Sequence, residues 1–129
     1  MANSNEELLA RGYAAFAAGD MDGVFAEMAD NIVWHVGGSS PLAGDYAGHE
    51  AVAGLFGQLM DVTGFTFKLD VHDVLANDTH GAVLCTAHAE SDGRALDMRQ
   101  VHIWHLAGGK STEFWTFPED SAANDEFFS

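Results

Sequence analysis

The side chains best suited to moving protons near neutral pH in this 129-residue sequence are its seven histidines. Two of them stand where such chemistry could be organised. His35 closes the β-branched and aromatic run 31–36 beside the loop Gly37-Gly38-Ser39-Ser40, and His102 lies within the long β-like run 94–106. One neutral imidazole could remove a proton beside a carbonyl while the other, as imidazolium or neutral donor, polarises the oxygen. The same two residues would also suit a packed interior, bonded to backbone or water. Alternation along a strand sorts their neighbours. If His102 faces a cavity, so do Met98, Gln100, Trp104 and Leu106, while Arg99, Val101, Ile103 and His105 face away. On the next strand Thr112, Phe114 and Thr116 point in, and Glu113, Trp115 and Phe117 point out. His102 and His105, three apart, then lie on opposite faces and share no zinc ion, so no metal site is read here. Cys85 is the only cysteine. It allows no internal disulfide and no thiolate cluster, and its apolar surroundings suit a structural thiol better than a nucleophile.

These residues need elements to hold them. Leu9, Tyr13 and Phe16 recur at helical spacing and predict a first helix over about residues 5–18, opened by the capping-box pattern Ser4-Asn5-Glu6-Glu7. Gly19-Asp20 breaks it, and Met21, Val24, Phe25 and Met28 mark a second helix. A short strand over 31–36 follows, then an irregular stretch 41–48, and a third helix marked by Val52, Leu55, Phe56, Leu59 and Met60. Phe65, Phe67, Leu69 and Val71 alternate as on a half-buried strand, and further strands are read over 81–90, 94–106 and 111–117 before a short terminal helix. The order α-α-β-α-β-β-β-β, with helices early and an antiparallel meander late, is that of a single α+β domain spanning 1–129 and not of a Rossmann alternation. There is no Gly-rich phosphate loop, and no cofactor is expected. Tyr46 lies in the loop before the third helix, where it could donate to a ligand or simply pack.

The stretch Phe16-Ala17-Ala18-Gly19-Asp20-Met21-Asp22, followed by Met28 to Trp34, resembles the opening of nuclear transport factor two-like domains of the SnoaL-like and ketosteroid-isomerase-like kind. Pro41-Leu42-Ala43-Gly44 through Gly48 to Val52 resembles the loop and third helix of SnoaL-like domains, and Val101 to Leu106 with Glu113-Phe114-Trp115 resembles their last hairpin. The resemblance implies three N-terminal helices on a strongly curved, mainly antiparallel sheet, a cone-shaped α+β barrel enclosing a pocket. It places His35 where ketosteroid isomerases carry a general-base Asp and His102 where they carry a protonated Asp. Their oxyanion Tyr falls on Gly12 instead of Tyr13, so all three functional positions differ. The family register also puts Val83, Cys85, Ala87 and Ala89 inward. Trp34, next to His35, should point the other way, into the helix–sheet core or an interface. The implied catalytic pair is His35 and His102, with Gln100, Trp104, Phe114, Met98 and Tyr46 as substrate-binding residues.

Composition bounds what such a pocket serves. Twenty acidic residues against five basic ones give a formal charge of −15, a surface that repels phosphate backbones and anionic lipid, so neither nucleic acid nor membrane is expected as a partner. No apolar run approaches the roughly 18 residues a membrane span needs, and residues 1–7 carry no base, unlike a signal peptide, which makes the cytoplasm the expected location. The readings that remain are an acid/base isomerase, dehydratase or cyclase acting on an apolar carbonyl or hydroxyl compound, a non-catalytic carrier of such a ligand, and an interaction module. The outward residues Leu84, Val101, Ile103, Trp115 and Phe117 form an apolar set that predicts a homodimer through the outer sheet face.

Overall fold

The computed structural model describes residues 4–129. Its elements run α1 (Ser4–Ala17), α2 (Met21–Ala26), β1 (Met28–Val36), β2 (Gly44–Ala47), α3 (His49–Val62), β3 (Lys68–Ala76), β4 (His80–Ser91), β5 (Arg94–Ala107), β6 (Lys110–Pro118) and α4 (Ser121–Phe128). The Gly19-Asp20 break works as read: Gly19 adopts φ +73°, a conformation that favours glycine, and the Asp20 carboxylate caps α2 by accepting from the Gly23 N–H. Met28, read into the second helix, opens β1 instead, and the strand read from Phe65 begins only at Lys68, leaving Phe65 81% exposed. The stretch after Pro41 contains the short strand β2, which pairs antiparallel with β1.

The six strands form one sheet in the order β2-β1-β6-β5-β4-β3. Every pairing is antiparallel except β1 with β6, because α3 and the meander carry the chain back between them. β2 and β3 stay at the two edges, so the sheet is curved but open, a cone and not a closed barrel. Register shifts in the β1–β6, β3–β4 and β5–β6 pairings mark where the ladder bends.

The helices pack on the concave face. Leu9 of α1, Val52 and Phe56 of α3, and Ile32, Val83 and Phe114 of the sheet belong to the main apolar core. A second, smaller cluster gathers Ala87, Ala89, Leu96 and Met98 beneath Phe127 of α4. No helix among the described residues is long and apolar enough to cross a membrane.

Candidate functional site

Between the helices and the sheet lies a cavity of about 150 Å³. Its lining comes from every layer: Leu9, Tyr13 and Phe16 from α1, Phe56 and Leu59 from α3, Trp34 from β1, Gln100, His102 and Trp104 from β5, Phe114 and Thr116 from β6, and Asn124 and Phe128 from α4. Aromatic rings brace one another around it. Trp34 stacks on Phe114 with centroids 3.9 Å apart, and Trp104 meets Phe114 edge-on at 4.6 Å. An aromatic-lined cleft with a few polar groups is the usual form of a small-molecule site.

The polar groups of β5 and α1 form a chain. The Trp104 indole N–H donates to the Tyr13 hydroxyl at 3.1 Å, and the Tyr13 hydroxyl lies 2.5 Å from His102 Nδ1. On the other side of the ring, His102 Nε2 lies 2.9 Å from Gln100 Oε1. With the proton on Nε2, the order is Trp104 N–H to Tyr13 O, Tyr13 O–H to His102 Nδ1, and His102 Nε2–H to Gln100 Oε1, and every partner is satisfied. Burial without an acidic neighbour lowers the His102 pKa to about 3. Burial also raises the Tyr13 phenol well above its usual range, despite the Trp104 bond pulling the other way. Both groups are therefore neutral at pH 7. Cys85, behind the imidazole at 3.6 Å from Nε2, is buried, and its thiol is pushed up to about 11 by desolvation. Glu27 is the one carboxylate among the described lining residues, and Arg11 engages it at 2.9 Å.

His102, Gln100, Trp104 and Phe114 meet at this cavity. Three other residues of the anticipated set do not line it. His35 is on the opposite face of the sheet, where its Nδ1 lies 2.8 Å from Asp45 and its Nε2 2.8 Å from Glu113, with the ring stacked on Trp115. Its neighbour Trp34 takes the inward position. The reason is the alternation of β1 itself: Ile32, Trp34 and Val36 share the concave face, so His35 must face out. Met98 points inward but is covered by Phe127 of α4 and belongs to the smaller cluster. Tyr46 spends its hydroxyl on the Leu42 carbonyl at 2.7 Å and packs against the core as part of the β2 turn. Thr112 gives way to Ser111 in the lining, because the irregularity between His105 and Leu106 in the β5–β6 ladder shifts the parity of β6 at its start.

Tyr13 is the functional candidate that the register of the resemblance passed over. Its signal was present in the Leu9, Tyr13, Phe16 stripe, which put it on the buried face of α1. Among the described residues no group of three His, Cys, Asp or Glu side chains is placed to hold a metal ion.

The family model of the SnoaL-like domain matches residues 9–114. The uncharacterized protein Rv0034 of Mycobacterium tuberculosis (strain ATCC 25618 / H37Rv) is 31% identical over 125 residues, which cover 95% of each chain. The structure of Bal32a, from a soil-derived mobile gene cassette, superposes with a TM-score of 0.93 at 34% identity, covering 98% of this chain and 97% of that one. The structure of TerC co-crystallized with polyporic acid superposes with a TM-score of 0.87 at 22% identity, covering 98% of both chains.

Proposed function

Since the chain belongs to the SnoaL-like family, we propose that it binds a small, uncharged, ring-bearing molecule that carries carbonyl or hydroxyl oxygen. The observation that carries this reading is the neutral Trp104–Tyr13–His102–Gln100 chain buried in the wall of an aromatic cavity. The rings supply apolar contact, and the chain supplies orientation without a formal charge. Among the described lining residues a carboxylate ligand would meet no lysine or arginine, and outside it would meet a chain of net charge −15. TerC, which shares the fold, was co-crystallized with polyporic acid. The test is a thermal-shift screen of neutral ring ketones and phenols, followed by quenching of Trp34 and Trp104 fluorescence. Neutral oxygenated rings are expected to raise the melting temperature and carboxylate analogues to leave it in place. Failure of every neutral compound at millimolar concentration would defeat the reading.

A second reading, turnover by acid/base chemistry as an isomerase, dehydratase or cyclase, is favoured by the Tyr13–His102 bond. A substrate proton passes to the Tyr13 oxygen as the Tyr13 proton passes to His102 Nδ1. The imidazolium formed keeps its Nε2–H on Gln100, and the electron pair left on the substrate becomes an enolate or alkoxide beside it. The low resting pKa of His102 means that the relay discharges only when that negative charge develops next to it. Exchange of deuterium from solvent into the carbon beside a bound ketone, followed by NMR, is expected in the wild type. It should fall about 10²–10⁴-fold in both His102→Ala and His102→Gln, since an amide cannot take up the Tyr13 proton. Exchange that persists unchanged in both variants would rule out the relay. The oligomer that accompanies either reading is a homodimer joined through the outer sheet face, in the cytoplasm.

A further inference from the structure

Three buried side-chain atoms have no hydrogen-bond partner among the described residues: Trp34 Nε1, Thr116 Oγ1 and Asn124 Oδ1. All three belong to residues that line the cavity. Other polar groups of the lining are used by the fold itself. Ser111 Oγ donates to the Glu27 carbonyl, Ser40 Oγ accepts from the Leu42 N–H, and Tyr13 and His102 are bonded within their chain. Folded proteins satisfy the great majority of buried polar groups, so three orphaned atoms on residues of one cavity's lining need a cause. Packing gives none, since Val, Phe and Leu would fill these positions without stranding a donor or an acceptor.

We propose that Trp34, Thr116 and Asn124 are specificity-determining residues that hydrogen-bond the ligand's oxygen functions, a set separate from the Trp104–Tyr13–His102–Gln100 chain. This rests on the binding reading given above and names what the ligand must carry. Trp34 Nε1–H can only donate and so requires an acceptor, a carbonyl or ether oxygen. The Asn124 carbonyl can only accept and requires a hydroxyl. Thr116 can do either, and it sits directly opposite His102 in the β5–β6 ladder. Trp34 is the register partner of Phe114, two residues before Thr116 on β6, and Asn124 comes from α4. The contacts therefore come from three different elements, and a ligand must present at least one acceptor and one hydroxyl to use them all. A site built to hydrogen-bond its ligand rejects the analogue that lacks those groups, because the stranded atoms stay stranded.

The test compares tetralin with a hydroxytetralone, which adds a carbonyl and a hydroxyl to the same skeleton. Calorimetry on the full chain measures both affinities in the wild type, Thr116→Val and Asn124→Leu. The wild type is expected to prefer the hydroxytetralone by about tenfold or more. Each variant should lose about that factor for the hydroxytetralone and keep its affinity for tetralin, which also reports that the cavity is still formed. Without ligand, both variants should melt at or above the wild-type temperature, because each removes a stranded group. Trp34→Phe, which also loses ring volume, should weaken both compounds but the hydroxytetralone more. Equal affinity of the wild type for the two compounds, or unchanged hydroxytetralone binding in both variants, would overturn this assignment while leaving the binding reading intact. If neither compound binds the wild type, the binding reading falls and this assignment with it. A lower melting temperature in both variants would show that these atoms serve the fold.

Discussion

Burying a histidine with no acid beside it fixes the sign of its pH dependence. Desolvation lowers the pKa of His102 in the folded protein to about 3, from an ordinary 6.5. As pH falls below about 6.5 the unfolded chain takes up the proton first, so stability that is complete above that pH drains away toward pH 3. The slope from this residue is up to about 1.4 kcal/mol per pH unit. Urea denaturation at steps between neutrality and pH 4 should show it, and His102→Gln should flatten the curve; a wild-type curve already flat there would contradict the buried, neutral assignment. His35 behaves oppositely. Bonds to Glu113 and then Asp45 raise its pKa, so its contribution is complete below about 6.5 and is lost as pH rises through the folded value. Glu113 is held low by His35, so its contribution is complete above about 4.5 and is lost on acidification. The outer-face pair thus works best between those two values. Tyr13→Phe tests the inner chain by another route. It strands the Trp104 N–H and His102 Nδ1 inside the protein and should cost about 1–3 kcal/mol in denaturation experiments. At this scale the sequence told half the story. His102 and its strand neighbours were legible from alternation, whereas Tyr13 was visible only as one member of an apolar helical stripe, because nothing in such a stripe distinguishes a packing ring from a hydroxyl that reaches a partner 89 positions away.

The long hairpin was the easiest part of the chain to read. β5 carries fourteen residues of strict alternation between a Gly-containing turn and another Gly pair, and its boundaries lie within a residue of those expected from the sequence. β1 shows why a family register alone was insufficient. Ile32, Trp34 and Val36 share the concave face, so His35 faces out although the resemblance matched it to a catalytic position. The shift at the start of β6 had no local signal, since a bulge is a property of two strands and not of one. β2 was missed because four residues at a sheet edge carry little pattern. α4 was expected only as a terminal helix, yet it covers one end of the cone. Asp120 caps it by accepting from the Ala123 N–H, Phe127 is buried over Met98, and Ser39 bonds Asp125 to the β1–β2 loop. Phe127→Ala should cost about 3 kcal/mol from lost burial and the void left behind. It should also speed ligand release, because Asn124 and Phe128 of the same helix line the cavity. A variant with altered stability but an unchanged dissociation rate would mean that ligands pass elsewhere.

The whole molecule sets two opposing tendencies against each other. Its outer sheet face presents Leu84 at 38% and Phe117 at 55% exposure, together with Val101, Ile103 and Trp115, which favours self-association. Its charge of −15 opposes the approach of a second copy. Light scattering should find a dimer at micromolar concentration, and the dimer should tighten as salt rises from about 20 mM to about 500 mM, since the Debye length shrinks from about 20 Å to about 4 Å and screens the repulsion between the two acidic copies. A monomer at all salt concentrations, or a dimer that salt dissolves, would exclude an apolar interface on this face. Cys85 offers a clock for the same molecule. It is the only thiol, it is 2% exposed, and it stands against the inner imidazole. A disulfide reagent in solution can reach it only during excursions that part the helices from the sheet. The ratio of its labelling rate to that of a free thiol therefore measures how often the native molecule breathes. An occupant of the cavity should lengthen the interval between breaths in proportion to its affinity, which would give a readout of binding that needs neither turnover nor a chromophore.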